Sequence, residues 1–323
     1  MKVCIAGDSG LLGQAFVQVL TEEKNNEVWG VSSSPFGGTP FWRPLRGFCQ
    51  HKVYHLPEEF PDFSSELKNF APDILINCTA LADIKACEEN PAVAEKTNAR
   101  IPERLARLTR EQGIDFIHIS TDQVFDGKKT APYSEEDKPQ PIHVYGRTKL
   151  EGDRAVLREH PAALVVRTNI VGFRDLAKKS TFAEWLCHSL LEKEKITLCE
   201  DFITSPLHVT DLVSLTLAAH GKGLRGILNI AAHDAASKFH FGELLAKSLG
   251  LDFSAVKKGT LGKLGLVPPR PPFLALQVGK AEGALGVRFP SVPETVQKIA
   301  EDFKLRLKEA SHVFYGNSDR ALS

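Results

Sequence analysis

Lys2-Val-Cys-Ile-Ala6 is an apolar run that breaks at once into Gly7-Asp8-Ser9-Gly10-Leu11-Leu12-Gly13, and helical spacing of apolar residues follows from Leu11 to Leu20. Nothing else in the 323 residues restricts the fold as strongly. Glycines at this spacing let a strand turn sharply into a helix and let a ligand approach the backbone, where the helix N-terminus favours an anion. A glycine triplet also makes ordinary structural turns. Its place between the first strand and the first helix is what predicts a pyrophosphate site for a dinucleotide.

The rest of the first half keeps that rhythm. Strands are expected at Val28–Val31, Val53–His55, Ile74–Asn77, Phe116–Ser120 and Ala163–Arg167. Helices are expected at Asp62–Phe70, Glu95–Gln112 and His143–His160. Short runs such as Ile74-Leu75-Ile76 suit strands covered on both faces, and strands alternating with helices imply a parallel sheet. The predicted fold class is α/β, a Rossmann-type doubly wound parallel sheet with a smaller C-terminal substrate-binding lobe. Residues 1–168 form the expected dinucleotide-binding domain, rejoined by about 207–232. Residues 169–206 and 233–310 form the lobe, with helices at Thr181–Lys193 and Pro293–Lys308; the helix Val209–His220 lies in the rejoining segment, and 311–323 is read as a frayed tail.

The second strand ends Val31-Ser32-Ser33-Ser34, without the acidic residue that usually bonds the adenosine ribose of NAD. Ser32 and Ser33 would tolerate a 2′-phosphate, with Arg43 or Arg46 in reach of it. NADPH is therefore the expected cofactor ahead of NADH, the alternative being a serine-rich loop that accepts both. Further on, Tyr145-Gly-Arg-Thr-Lys149 opens a helix, so the phenol and the amine share a face. Such a pair is common by chance. It gains meaning by following a strand that ends in Ser120 and Thr121, where an α/β sheet presents its ligands. Reducing a ketone needs hydride on carbon and a proton on oxygen. Tyr145 can donate that proton, Lys149 can stabilise the resulting phenolate and bond the nicotinamide ribose, and Thr121 can polarise the carbonyl. The structural alternative is a helix cap and a strand end.

Lysine plus arginine and aspartate plus glutamate each number 40, which argues against a nucleic-acid or anionic-membrane partner. No apolar run approaches the ~20 residues of a membrane helix, and the N-terminus enters its glycine turn directly, so a cytoplasmic location is expected. Six scattered cysteines without a CxxC pair read as buried thiols, with no metal site. Arg270, inside Val267-Pro-Pro-Arg-Pro-Pro-Phe273, is a candidate grip on a substrate diphosphate or a surface arginine in a rigid turn; Arg167 reads as structural.

The segments GDSGLLG, NCTALADIKACEENP from Asn77, HISTDQVFDG from His118, PYSEEDKPQPIHVYGRTKLEGD from Pro132 and VVRTNIVG from Val165 resemble the extended short-chain dehydrogenase/reductases, and among them the dTDP-4-dehydrorhamnose reductase family. SPLHVTDL from Ser205 and PPRPPFLAL are weaker echoes. The resemblance implies reduction of a 4-keto nucleotide sugar with NADPH or NADH, in a family whose members can associate as homodimers. It implies Thr121, Tyr145 and Lys149 as catalytic residues. It places Gly7, Ser9, Gly10, Leu11, Leu12 and Gly13 at the pyrophosphate. Leu56, Cys78, Thr79, Ala80, Leu81 and Ile119 join Ser32, Ser33, Tyr145 and Lys149 around the rest of the cofactor. Asp122 lines the sugar site beside Thr121.

Two positions depart from the family pattern, both where a deoxysugar ring would rest. Gln123 replaces a tyrosine, and Asn169-Ile170 replaces a Ser-Trp pair. With Arg270 they complete the expected substrate set. A nucleotide-sugar dehydratase would carry glutamate at 123 for proton exchange, which an amide cannot perform. An epimerase uses the same Thr/Tyr/Lys set. The regulatory subunit of methionine adenosyltransferase resembles this reductase family too, and gives a non-catalytic alternative.

Overall fold

The computed structural model describes residues 1–23, 25–33, 49–54, 56, 59–174 and 180–315, with the backbone alone for residue 49 and for 309–315. Arg43 and Arg46, the arginines considered for a 2′-phosphate, lie outside the described residues. Seven strands form one parallel sheet: β1 (Lys2–Ala6), β2 (Glu27–Ser32), β3 (Cys49–Val53), β4 (Ile74–Asn77), β5 (Asp115–Ile119), β6 (Leu164–Arg167) and β7 (Gly226–Asn229). Their spatial order is 3-2-1-4-5-6-7. The order reverses between β1 and β4, and in open α/β sheets the carboxyl ends at such a point hold the ligand.

Strand alternation divides the apolar side chains between two faces. Val3, Ile5, Ile74, Ile76 and Ile117 pack on Phe16 and Leu20 of the first helix, whereas Cys4, Ala6, Leu75, Phe116 and Val165 meet Phe63, Leu105 and Leu108. Each large side chain fully removed from water contributes about 1.5–3 kcal/mol, and these apolar positions on both faces are what hold the helices to the sheet. A third core, with Leu186, Cys187, Phe241, Leu245, Val296, Ile299 and Phe303, holds the C-terminal half together. Only short strands join it, including Ile203–Thr204 between Ala236–Ser237 and Phe273–Leu274. Among the described residues no helix is long and apolar enough to cross a membrane.

Three elements differ from the sequence expectation. The third strand is Cys49–Val53, not Val53–His55, and His55 lies outside the described residues. Gln50, His51 and Lys52 hid it, because an edge strand with one open face need not be apolar. The expected helix Glu95–Gln112 is three pieces: Pro91–Glu95, a π-turn Lys96–Arg100, and Ile101–Gln112. Pro102 has no N–H to continue the ladder, and the wide turn lets Gly152 come so close that a Cβ there would lie 2.2 Å from the Asn98 carbonyl oxygen. The last helix runs Val292–Tyr315, beyond the expected fray at Ser311, with no glycine or proline from Glu294 to Tyr315 to stop it.

Candidate active site

The glycine turn is built by close contact. Gly7 has φ +87°, and a Cβ on it would lie 2.8 Å from the Cys78 carbonyl carbon; a Cβ on Gly13 would lie 2.1 Å from the Gly7 oxygen. Gly10 starts the helix Leu11–Glu22 with no side-chain cap. The amides of Leu11, Leu12 and Gly13 are therefore left pointing out of the helix end, ready for an anion. Ser9 is held in the turn through its carbonyl, which accepts from Gln14 Nε2 at 3.1 Å. These residues fit a dinucleotide pyrophosphate, since glycine is required for steric reasons at the positions where the backbone must be approached.

Asp8 was not among the expected site residues. Its side chain is fully buried, its Oδ2 lies 2.6 Å from His51 Nδ1, and Gly30 leaves room for it, since a Cβ there would sit 2.0 Å from Oδ2. Burial raises this carboxyl above its ordinary range, with His51 and Ser32 pulling the other way. An acidic group thus does stand beside the end of β2, although no residue of that strand supplies it. Ser32 is buried and bonds Asp8, while Ser33 is exposed. The signal was present in the sequence: a glycine inside a strand marks close approach by another group.

Thr121 follows β5, and Tyr145 and Lys149 lie on the helix Val144–Glu159. His143 caps that helix, its Nδ1 accepting from Gly146 N at 3.0 Å and its Nε2 lying 3.1 Å from Gln123 Oε1. A Cβ on Gly146 would meet the Gln123 carbonyl oxygen at 2.2 Å. The helix therefore starts directly on the Thr121-Asp122-Gln123 turn, and the Thr121 hydroxyl bonds the Tyr145 phenol. Burial is the largest influence on that phenol and raises it, Asp122, Cys87 and Asp153 push the same way, and Thr121 opposes them. The phenol is firmly protonated. Lys149 is buried, donates to the Ile119 carbonyl at 2.7 Å, and is pulled down to about 8 by burial against the attraction of Asp153 and Cys78. Where the sequence predicts Lys149 to act on the phenol, the ammonium is anchored to β5, and burial is the largest influence on the phenol.

The two departures from the family pattern meet on one carboxylate. Asp122 Oδ1 accepts from Gln123 Nε2 and from the Thr121 hydroxyl, each at 3.1 Å, and Oδ2 accepts from Asn169 Nδ2 at 2.6 Å. Burial still lifts Asp122 to about 6. Ile170 is partly buried and packs against the first core. Lys238 also acts on Asp122 and was missed by the sequence argument. Its Nζ sits 4.6 Å from the Phe182 ring centre and 5.4 Å from that of Phe202, 3.4 Å from Thr204 Oγ1, and is brought down to about 8 by burial. No sequence spacing links residue 238 to 122; the fold does. Arg270 is half-buried, bonds the Pro268 carbonyl at 2.7 Å, and acts on His143, which burial and this guanidinium hold down to about 4.

Around the remaining cofactor positions, Cys78 packs under Gly7, and Thr79 bonds Asn77 Oδ1 through its N–H at 3.1 Å and its hydroxyl at 2.7 Å. Ala80 is exposed and Leu81 is held on both sides by Asn98, which accepts its N–H at 2.8 Å and donates to its carbonyl at 3.1 Å. Leu56 is partly buried against the second core.

Comparison with known proteins gives a consistent family. The RmlD substrate binding domain family matches residues 1–305. A probable low-salt glycan biosynthesis reductase of Haloferax volcanii is 31% identical, covering 94% of this chain and 98% of that protein. A dTDP-4-dehydrorhamnose reductase of Mycobacterium tuberculosis is 34% identical over 63% of this chain and 68% of its own length. A methionine adenosyltransferase 2 subunit beta of Xenopus laevis is 28% identical over 94% and 90%. The solved structure of a Clostridium acetobutylicum dTDP-4-dehydrorhamnose reductase superposes with a TM-score of 0.77 at 23% identity, covering 94% of this chain and all of that one, and shares the fold.

Proposed function

The chain belongs to the RmlD substrate binding domain family, and from that premise we propose that it is an NAD(P)-dependent oxidoreductase that reduces the 4-keto group of a nucleotide-linked sugar, with NADPH or NADH as the cofactor. The observation that carries the reading is the meeting of Thr121, Tyr145 and Lys149 at the end of β5, next to a glycine turn open to a pyrophosphate. Relatives named as sugar-nucleotide reductases support it.

Gly7, Gly10, Leu11, Leu12 and Gly13 would hold the cofactor pyrophosphate, and Cys78, Thr79 and Leu81 would line its ribose and nicotinamide. When bound in its reduced form, the nicotinamide would supply the hydride that the carbonyl carbon needs. The Thr121 hydroxyl bonds the carbonyl oxygen, and the Tyr145 phenol, kept neutral by burial, donates its proton to that oxygen to give the alcohol. The Lys149 ammonium beneath offsets the phenolate charge. Asp122, positioned by Gln123 and Asn169, presents an oriented acceptor to the sugar hydroxyls, and Arg270 reaches the diphosphate from the mouth of the site.

The test is to mix the purified protein with NADPH and a panel of dTDP-, GDP- and UDP-linked 4-keto sugars. Loss of reduced-nicotinamide absorbance with matching formation of the alcohol is expected. Tight NADPH binding without turnover on any of them overturns the reductase reading. That outcome favours a cofactor-binding regulatory subunit, the second reading that the methionine adenosyltransferase relative keeps open.

A further inference from the structure

Asn77 on β4 and His118 on β5 are partners in strand register directly below Lys149, and neither side chain is exposed to solvent. Their hydrogen bonds leave one consistent assignment of protons. The Thr79 N–H and hydroxyl both reach the same Asn77 atom, Oδ1, at 3.1 and 2.7 Å. A backbone N–H can only donate, so that atom is the carbonyl oxygen and the other is the NH2. The NH2 lies 3.0 Å from His118 Nδ1, which must then offer a lone pair. Burial and the Lys149 charge hold this imidazole far below its ordinary range, so it is neutral and its single proton is on Nε2. His118 Nε2 is 3.4 Å from Lys149 Nζ and 3.8 Å from Asp153 Oδ1.

An N–H aimed at an amine distinguishes the two states of that amine. It opposes an ammonium, which has only donors, and suits a free amine, whose lone pair accepts. We propose that Asn77 and His118 form a tautomer lock, in which the amide oriented by Thr79 holds the imidazole proton on Nε2 and that N–H sets how readily Lys149 keeps its charge. His118 is a positioning residue, since it acts through Lys149. A proton relay through the ring is a poorer account: Nδ1 is occupied by a donor that has no proton to spare.

The other groups facing Lys149 are Asp153 on its own helix, the Cys78 thiol after β4, and the Tyr145 phenol one turn away. Asp153 and Cys78 favour the ammonium, and burial opposes it. Asp153 is itself held by Arg167 on β6, whose Nε lies 3.3 Å from Oδ2, so its attraction is shared between two cations. Beside these forces and the Ile119 carbonyl, the lock is the contact whose sign depends on which ring nitrogen bears the proton.

The inference rests on reading Lys149 as the catalytic amine, so its test uses no turnover. The full-length protein is grown with lysine labelled at 13Cε, the Lys149 signal is identified by its loss in Lys149→Met, and its chemical shift is followed against pH. The wild-type midpoint is expected near 8. His118→Phe, which keeps the ring and removes the N–H, should raise it by about one pH unit. Asn77→Leu, which frees the proton to move to Nδ1, should raise it as well and decides the matter alone if His118→Phe does not fold. A midpoint unchanged from wild type in a folded variant overturns the lock. A raised midpoint in a protein that turns over no keto sugar leaves the lock standing and removes the reductase reading instead.

Discussion

The floor of the site and its sugar-facing wall are built by different means. On the floor, backbone does the placing: the Gly7–Gly13 turn, the β4–β5 register that sets Asn77 beside His118, and a helix that starts against Gln123 because Gly146 permits it. On the wall, side chains from distant segments converge: Gln123, Asn169 and Lys238 on Asp122, with Arg270 on a proline-stiffened loop. A backbone-built floor tolerates few substitutions and retains its chemistry. A side-chain-built wall can be rewritten one residue at a time, and it is the wall that carries this chain's departures from the family pattern. Chemistry and substrate choice should therefore fail separately.

The largest separation is expected at Tyr145. Removing its hydroxyl in Tyr145→Phe takes away the proton donor without touching the glycine turn. kcat should fall about 10³-fold while the NADPH dissociation constant stays within about twofold. Single-turnover kinetics with equilibrium cofactor binding measure both, and a variant that keeps most of its kcat means another acid serves the carbonyl.

Asp122 stands at the seam, and its burial sets a pH dependence of stability. Its carboxyl is raised to about 6 in the folded protein, against ~3.9 in an unfolded chain. The folded state thus binds the proton more tightly. This contribution to stability is fully present below ~3.9 and is lost as pH rises through about 6. The swing is about 3 kcal/mol, roughly a hundredfold in the folding equilibrium. Denaturant unfolding of wild type and Asp122→Asn at about pH 4 and about pH 7 tests it. The difference between the two proteins should shift by about 2 kcal/mol towards the variant at the higher pH, because the unfolded carboxyl is already half ionised at about pH 4. A pH-independent difference would show that the hydrogen bonds from Gln123 and Asn169 offset the burial entirely.

The same contrast explains what was legible in the sequence. The turn, the doubly wound order and the Tyr145–Lys149 spacing are local patterns, so they could be read directly. Asp8 with His51, and Lys238 with Asp122, pair across 43 and 116 residues, and no periodicity encodes such distances. Gly30 inside β2 and an aspartate within a phosphate turn were nevertheless readable hints. The π-turn at Lys96–Arg100 was hidden because helical patterning is blind to one added residue per turn, although Pro102 marked the break. Gln123 and Asn169 were noticed as departures, but their shared partner became visible only with the coordinates.

On the wall itself, Arg270→Ala should raise KM for the nucleotide sugar by about 30-fold with kcat changed less than threefold, since a charge-assisted bond to a diphosphate is worth about 2 kcal/mol. Steady-state kinetics check it. An unchanged KM would mean that Arg270 serves only its loop, through the bond to Pro268 and its charge beside Glu88 and Asp83.

The smallest expected effect is at Lys238, and it asks whether an ammonium outside the catalytic set belongs to the sugar wall. Lys238→Met keeps the length and the contact with Phe182 and Phe202 while removing the charge. If the ammonium donates to the sugar, KM should rise about fivefold, the equivalent of one modest hydrogen bond, with NADPH affinity unaltered. Its pH behaviour separates it from Lys149, which ionises in the same region. Lys238 is charged below about 8, so the wild-type KM should climb as pH passes that value, and the variant's KM should stay flat. In the proposed mechanism Lys149 offsets the phenolate, and its ionisation would move kcat in both proteins alike. A wild-type KM that is flat through pH 8, or a variant that climbs with it, removes Lys238 from the wall and leaves it a partner of Asp122 alone.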